Sequence, residues 1–171
     1  VPPVISGIEI AEKYGFSIPP QIRAAIMDSV KREADLLEKS ASVDSDIEVQ
    51  NLSGTLMPYQ KAGVAYATSV GRCLIADQMG LGKTVEAIAT LELRDAFPAI
   101  IVCPASLKEN WRRELNKWLP HRVVNIVSGK TDIVNADVNI VNYDILYKFV
   151  DAIKHLGLSG LVLDESHYVK N

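Results

Sequence analysis

Lys83 and Thr84 close a short loop, Gln78-Met79-Gly80-Leu81-Gly82, that lies between an apolar run and a helix-forming run. An ammonium, a hydroxyl and a row of backbone N–H groups together suit a phosphate chain accompanied by a divalent cation. In a tight loop that opens a helix, the N–H groups of Gly80, Leu81 and Gly82 converge with the positive end of the helix to make an anion site. Lys83 can then reach the β- and γ-phosphates, and Thr84 can hold Mg²⁺. The strict spacing G-x-x-x-x-G-K-[ST] asks for glycine at position 77, where this chain has Asp77.

A second group with chemical potential follows in Gly160-Leu161-Val162-Leu163-Asp164-Glu165-Ser166-His167. The apolar run reads as a fully buried parallel strand, so both carboxylates emerge at its carboxyl end, where α/β folds place ligands. Asp164 is expected to hold Mg²⁺ directly or through water. Glu165 is expected to orient or deprotonate an attacking water.

The elements that must position these groups alternate along the chain. The pattern predicts helices at about 58–70, 83–96, 106–119 and 144–156, and strands at about 73–76, 99–103, 123–127, 138–141 and 161–163. Such alternation, with Val/Ile/Leu-rich strands, implies an α/β fold: a mostly parallel sheet with helices on both faces. On the helix at 106–119, Leu107, Trp111, Leu115 and Trp118 form one apolar stripe, which makes the tryptophans core residues rather than base-stacking platforms. His121 and His155 fall near helix ends, as surface groups would. Residues 1–55 read as a helical arm and linker, with Pro2-Pro3 and Pro19-Pro20 as breaks. The arm carries an amphipathic helix over about 20–39, with Ile22, Ile26, Val30 and Leu37 on one side, and Ser40 to Gly54 forms the linker. Residues 56–171 form the nucleotide-binding domain.

At 171 residues, 48% hydrophobic and a net charge of −3, the chain can bury one substantial core. No apolar run approaches the ~18 residues of a membrane span and no signal peptide opens the chain, so an intracellular protein without a membrane partner is expected. Cys73 and Cys103 both fall in expected buried strands and lack a second ligand at metal spacing, so small apolar packing groups are expected rather than a disulfide or metal site. Positive charge gathers at Lys108, Arg112, Arg113, Lys117 and Arg122, against Glu109 and Glu114 only. This patch has the right sign for a phosphate backbone, though a charge run is also what a solvated face looks like.

Taken in order, these runs resemble the DNA-translocating ATPases of the Swi/Snf type in helicase superfamily 2, whose members commonly read D-x-M-G-L-G-K-T at the loop. Leu56-Met57-Pro58-Tyr59-Gln60 resembles the family's Q motif, with Gln60 as adenine reader. Val102-Cys103-Pro104-Ala105-Ser106-Leu107 resembles motif Ia, Val138 to Asp144 the next DNA-side motif, and Asp164 to His167 motif II. Asp-Glu-Ser-His with Tyr168 after it is most similar to the annealing-helicase subgroup. The resemblance implies a RecA-like first lobe, incomplete and ending after motif II, that uses ATP and Mg²⁺ and acts on double-stranded DNA. Catalysis would rest on Lys83, Asp164 and Glu165, DNA contact on Lys108, Arg112, Arg113, Asn142 and Tyr143, and coupling on His167. It further implies a second RecA-like lobe, in the same full-length chain or another, and an isolated fragment that turns ATP over weakly. The chain begins at Val1 without Met and stops at Asn171, as a fragment or half of a split motor would. Location would be the cytoplasm and nucleoid, or the nucleus. Two alternatives stand beside this at the level of sequence: a single-strand helicase or restriction-type motor of the same superfamily, and a nucleotide- or DNA-binding module that does not hydrolyse.

Overall fold

The computed structural model describes residues 10, 13–40, 42, 44–76, 78 and 80–170. Pro2-Pro3, Asp77, Met79 and Asn171, on which some expectations above fall, lie outside the described residues. The chain divides into two compact units, Val1–Val43 and Asp44–Asn171.

Among its described residues the first unit contains a long helix, α1 (Pro20–Ser40). Proline is well placed at its start, where a missing N–H breaks no helical bond. Of the expected apolar stripe, Ile26 and Val30 are half-buried and Ile22 is exposed.

The second unit opens with α2 (Pro58–Val70), which also starts on proline and ends where Gly71 turns to φ +80°. Then come α3 (Lys83–Leu93), β1 (Ala99–Cys103), α4 (Lys108–Trp118), β2 (Val124–Ile126), β3 (Val138–Asn142), α5 (Tyr143–Leu146), α6 (Val150–His155) and β4 (Gly160–Leu163). A 3₁₀ turn at Ala105–Leu107 leads into α4, and another at Tyr147–Phe149 divides the expected helix at 144–156 into α5 and α6. The four strands pair in parallel in the order β2-β3-β1-β4. Alternation along β1 sorts the core. Ala99, Ile101 and Cys103 pack with Ala87, Ile88 and Leu91 of α3 and with Trp111 and Leu115 of α4. Ile100 and Val102 pack on the other face with Val141, Phe149 and partly buried Ile145 and Ile153. Helices therefore cover both faces, the RecA-like α/β arrangement expected. A third cluster joins Leu56 and Val64 to Val85 and Ala89, seating α2 on α3.

Three expectations need correction. The run 73–76 is not a strand, and Cys73 and Leu74 are exposed. Its apolar character signals burial, but strand structure also needs a ladder partner, and none of the four strands pairs with it. β4 is not fully buried: it is an edge strand with β1 as its neighbour, and Leu161 and Leu163 stand exposed. The stretch 40–54 is not all linker, because Ile47, Val49 and Leu52 pack on the third cluster and Ser53 N–H donates to Trp118 C=O at 2.8 Å.

Candidate nucleotide-binding site

The loop before α3 is shaped by glycine. Gly82 sits at φ +86°, ψ +34° as the N-cap of α3, a conformation that side chains disfavour. A Cβ there would also collide with Gln60 Nε2. Gln60 is buried and braces this loop: its Oε1 accepts from Met57 N–H at 3.0 Å, and its Nε2 donates to Leu81 C=O at 3.0 Å. Tyr59 O–H donates to the same carbonyl at 3.2 Å. Each end of the amide makes one bond to backbone and keeps a second hydrogen-bonding position, so this brace is compatible with the adenine contact expected of Gln60. Lys83 Nζ donates to Gln78 C=O at 3.1 Å within the loop, and Thr84 follows in the first turn of α3.

Packing decides where this loop lies relative to the sheet. Leu91 and Ala96 crowd Gly160 at the start of β4, and Glu92 bonds Arg122 just ahead of β2, so α3 ends at the amino edge of the sheet. The helix has 11 residues. At 1.5 Å per residue it runs back about 16 Å, the length of the strands beside it, which returns its N-terminus to the carboxyl edge.

Asp164 and Glu165 follow β4 at that same edge. Asp164 is held at three points: its N–H donates to Val102 C=O at 2.8 Å, its C=O accepts from Tyr143 O–H at 2.8 Å, and its Oδ2 accepts from Trp111 Nε1–H at 2.8 Å. Glu165 has φ +52°, an unusual backbone conformation for a side-chain-bearing residue and a form of local strain found at functional turns. His167 Nδ1 lies 3.3 Å from Glu165 Oε2, an ion pair when the imidazole is protonated. Tyr168 stacks on Tyr143 with ring centroids 5.7 Å apart and touches the His167 ring. Burial, then the charge of Asp164, raises the Tyr143 hydroxyl above its ordinary range, so it remains a protonated donor at neutral pH.

The residues expected to touch DNA divide into two groups. Arg112 and Arg113 are exposed on α4, where their polar contacts are the short-range pairs with Glu109 and Asn110. Lys108, Asn142 and Tyr143 turn inward instead. Lys108 Nζ donates to Asn142 Oδ1 at 2.9 Å and Val127 C=O at 3.0 Å, and buried Asn142 donates on to Asp144 at 2.9 Å. Lys108 and Tyr143 are half-buried and Asn142 is buried, so in this structure the polar ends of all three are engaged within the protein. Arg122 also leaves the patch. It binds Glu92 at 3.0 Å, Asp95 at 3.3 Å and Asp137 at 3.5 Å at the amino edge of the sheet and lies over the Phe97 ring. Trp111 is the site residue that sequence reasoning missed. Its apolar stripe spoke for burial, and nothing in the pattern linked its N–H to a carboxylate 53 positions away. Among the described residues, no group of three or more His, Cys, Asp or Glu side chains could hold a metal by itself, and no helix is long and apolar enough to cross a membrane.

Comparison with known proteins agrees with this geometry. Residues 59–171 match the SNF2-related domain. The chain is 34% identical over 167 residues to the DNA annealing helicase and endonuclease ZRANB3 of Bos taurus, covering 91% of this chain and 14% of that protein. It is 36% identical over 151 residues to the Bos taurus SWI/SNF-related matrix-associated actin-dependent regulator of chromatin subfamily A-like protein 1, covering 81% of this chain and 16% of that protein. The Sulfolobus solfataricus SWI2/SNF2 ATPase core, solved in complex with dsDNA, superposes with a TM-score of 0.65 at 28% identity, over 74% of this chain and 29% of that one. A P-loop between α2 and α3, two carboxylates at the end of a parallel strand, and a matched stretch that contains both place the chain in the SNF2-related domain family of Swi/Snf-type ATPases, with annealing helicases among its relatives.

Proposed function

We propose that this chain is the first, ATP-binding lobe of an ATP-driven motor that moves along double-stranded DNA. One observation carries the proposal: the loop opens α3, whose far end packs at the amino edge of the parallel sheet, and the Asp164-Glu165 pair follows β4 of that sheet, in a chain of the SNF2-related family. The neighbour solved with dsDNA supports the choice of partner.

The donor set fits the cation that such chemistry uses. Thr84 offers a hydroxyl and Asp164 a carboxylate, hard oxygen ligands of the kind Mg²⁺ takes alongside phosphate oxygens and water. When bound, Mg²⁺ neutralises charge on the phosphates. The chain's own residues do the rest. The N–H groups at Gly80, Leu81 and Gly82 cradle phosphate oxygens, and Lys83 exchanges its bond to Gln78 C=O for the phosphates. Glu165 orients the attacking water and takes its proton, while His167, 3.3 Å away, ties Glu165 to the following turn. Arg112 and Arg113 meet the DNA backbone without reading bases. A second RecA-like lobe would supply the arginine that completes charge neutralisation, so this chain alone should bind ATP and hydrolyse it slowly.

Calorimetric titration tests the proposal directly. Mg·ATP should bind the 171-residue chain, and Lys83→Ala should weaken binding at least about tenfold, about 1.4 kcal/mol. Equal affinity in the variant would remove the loop from the site.

A further inference from the structure

Trp111 poses a question that packing does not answer. Its ring is 3% exposed and fills the core beneath α4, which any large apolar side chain could do. An indole, however, carries one N–H that must find an acceptor when buried. Here the acceptor is Oδ2 of Asp164, at 2.8 Å. The backbone of Asp164 is already anchored on both sides, by Val102 C=O and by Tyr143 O–H. The remaining freedom of the residue is rotation of its carboxyl group, and the indole bond removes that.

We propose that Trp111 is a positioning residue for the cation-holding carboxylate: its indole N–H fixes Asp164 Oδ2 and leaves Oδ1 set for the metal. This rests on the reading above in which Asp164 holds Mg²⁺. The chemistry of the donor matters. A lysine or arginine would fix the carboxylate equally well but would bring a positive charge beside the cation site. A neutral N–H orients the carboxylate and leaves its full negative charge for the metal, in the manner of outer-shell partners that orient metal ligands. Because Arg112 and Arg113 neighbour Trp111 on the same helix, the carboxylate is also tied mechanically to the helix proposed to meet DNA.

The test separates the N–H from the ring. Trp111→Phe keeps an aromatic ring in the core and deletes the donor. With Mn²⁺ as the probe, cation affinity of the ADP-loaded full chain is measured by electron paramagnetic resonance for wild type, Trp111→Phe and Asp164→Asn. Trp111→Phe is expected to weaken Mn²⁺ about 10- to 100-fold, with ADP affinity in the absence of metal unchanged. Unchanged Mn²⁺ affinity in Trp111→Phe, while Asp164→Asn loses it, would overturn the proposal alone. Unchanged affinity in both variants would overturn the underlying assignment of Asp164 as well. A second readout needs no change at position 111. In a Trp118→Phe background the sole indole is Trp111, and Mg²⁺ added with ADP should shift its emission saturably as the cation draws charge from the carboxylate. Absence of that shift, or its persistence after Asp164→Asn, counts against the indole–carboxylate link.

Discussion

Cys73 and Cys103 show how differently two residues of one type can behave when their apolar surroundings look alike in sequence. Cys103 ends β1 with no exposure, and burial first, then the negative charge of Asp164, pushes its thiol up to about 11 against a smaller downward pull from Lys108. Cys73 lies in the irregular run before the loop and is exposed, although partial desolvation raises its thiol too. The thiolate is the reactive species, and at pH 8 a thiol with a pKa of about 11 is ionised in roughly one molecule in a thousand. Maleimide labelling of the folded chain at pH 8 should therefore add a single adduct, at Cys73, with Cys103 reacting only in denaturant; intact-mass spectrometry reads the count. Comparable native rates at both thiols would contradict the assigned burial. Sequence placed both in buried strands because each sits in an apolar run. What separates them is a ladder partner, and partners are a property of the folded sheet. The same reason hid the Trp111–Asp164 bond, whereas the positions of Lys83 and Thr84 at the start of α3 and of Asp164 and Glu165 after β4 were legible because local sequence pattern is itself the signal.

At the scale of an element, α4 carries two kinds of arginine around it. Helical periodicity made its buried stripe legible: Trp111 and Leu115 are buried, and Leu107 and Trp118 pack beside them. Periodicity could not distinguish Arg112 and Arg113, which face solvent, from Arg122, which lies beyond the helix and binds three carboxylates, one of them the buried Glu92. Removing one partner of a buried ion pair leaves an uncompensated charge, so Arg122→Ala should cost about 3 kcal/mol in urea unfolding. Arg112→Ala loses only an exposed pair with Glu109 and should cost below about 0.5 kcal/mol. Duplex binding should sort them the other way. Neutralising Arg112 and Arg113 together should lower the salt slope by up to ~2 units for every sequence alike, about 0.9 for each phosphate left without its arginine, and conditions that keep Arg122→Ala folded should leave its slope unchanged. A slope untouched by the double change would reduce the patch to a solvated face.

At the scale of the whole molecule, the second unit begins earlier than the helix pattern implied. Sequence drew the start of the nucleotide-binding domain at residue 56 because Ser42, Asp44, Ser45 and Asp46 have the composition of a linker. The alternation that follows them was visible but short: Ile47 and Val49 point toward the core while Glu48 and Gln50 stay exposed. Compact packing instead starts at Asp44. These residues matter to the site indirectly, because they cover the cluster formed by Leu56, Val64, Val85 and Ala89, and this cluster fixes α2 to α3. Gln60 on α2 braces the loop at the start of α3, so loosening that cluster should loosen the brace. Two truncated chains test the idea against each other. Relative to a chain starting at Asp44, one starting at Leu56 lacks Ile47, Val49 and Leu52 from the cluster and the bond from Ser53 to Trp118. At about 1 kcal/mol for each half-buried apolar side chain, the shorter chain should be less stable by roughly 3 kcal/mol. It should also bind Mg·ATP more weakly even at temperatures where it remains folded, because a mobile α2 no longer holds Leu81 C=O in place. Equal unfolding midpoints and equal affinities would show that 44–55 is a tether, and that the loop keeps its shape without help from the residues that pack beneath it.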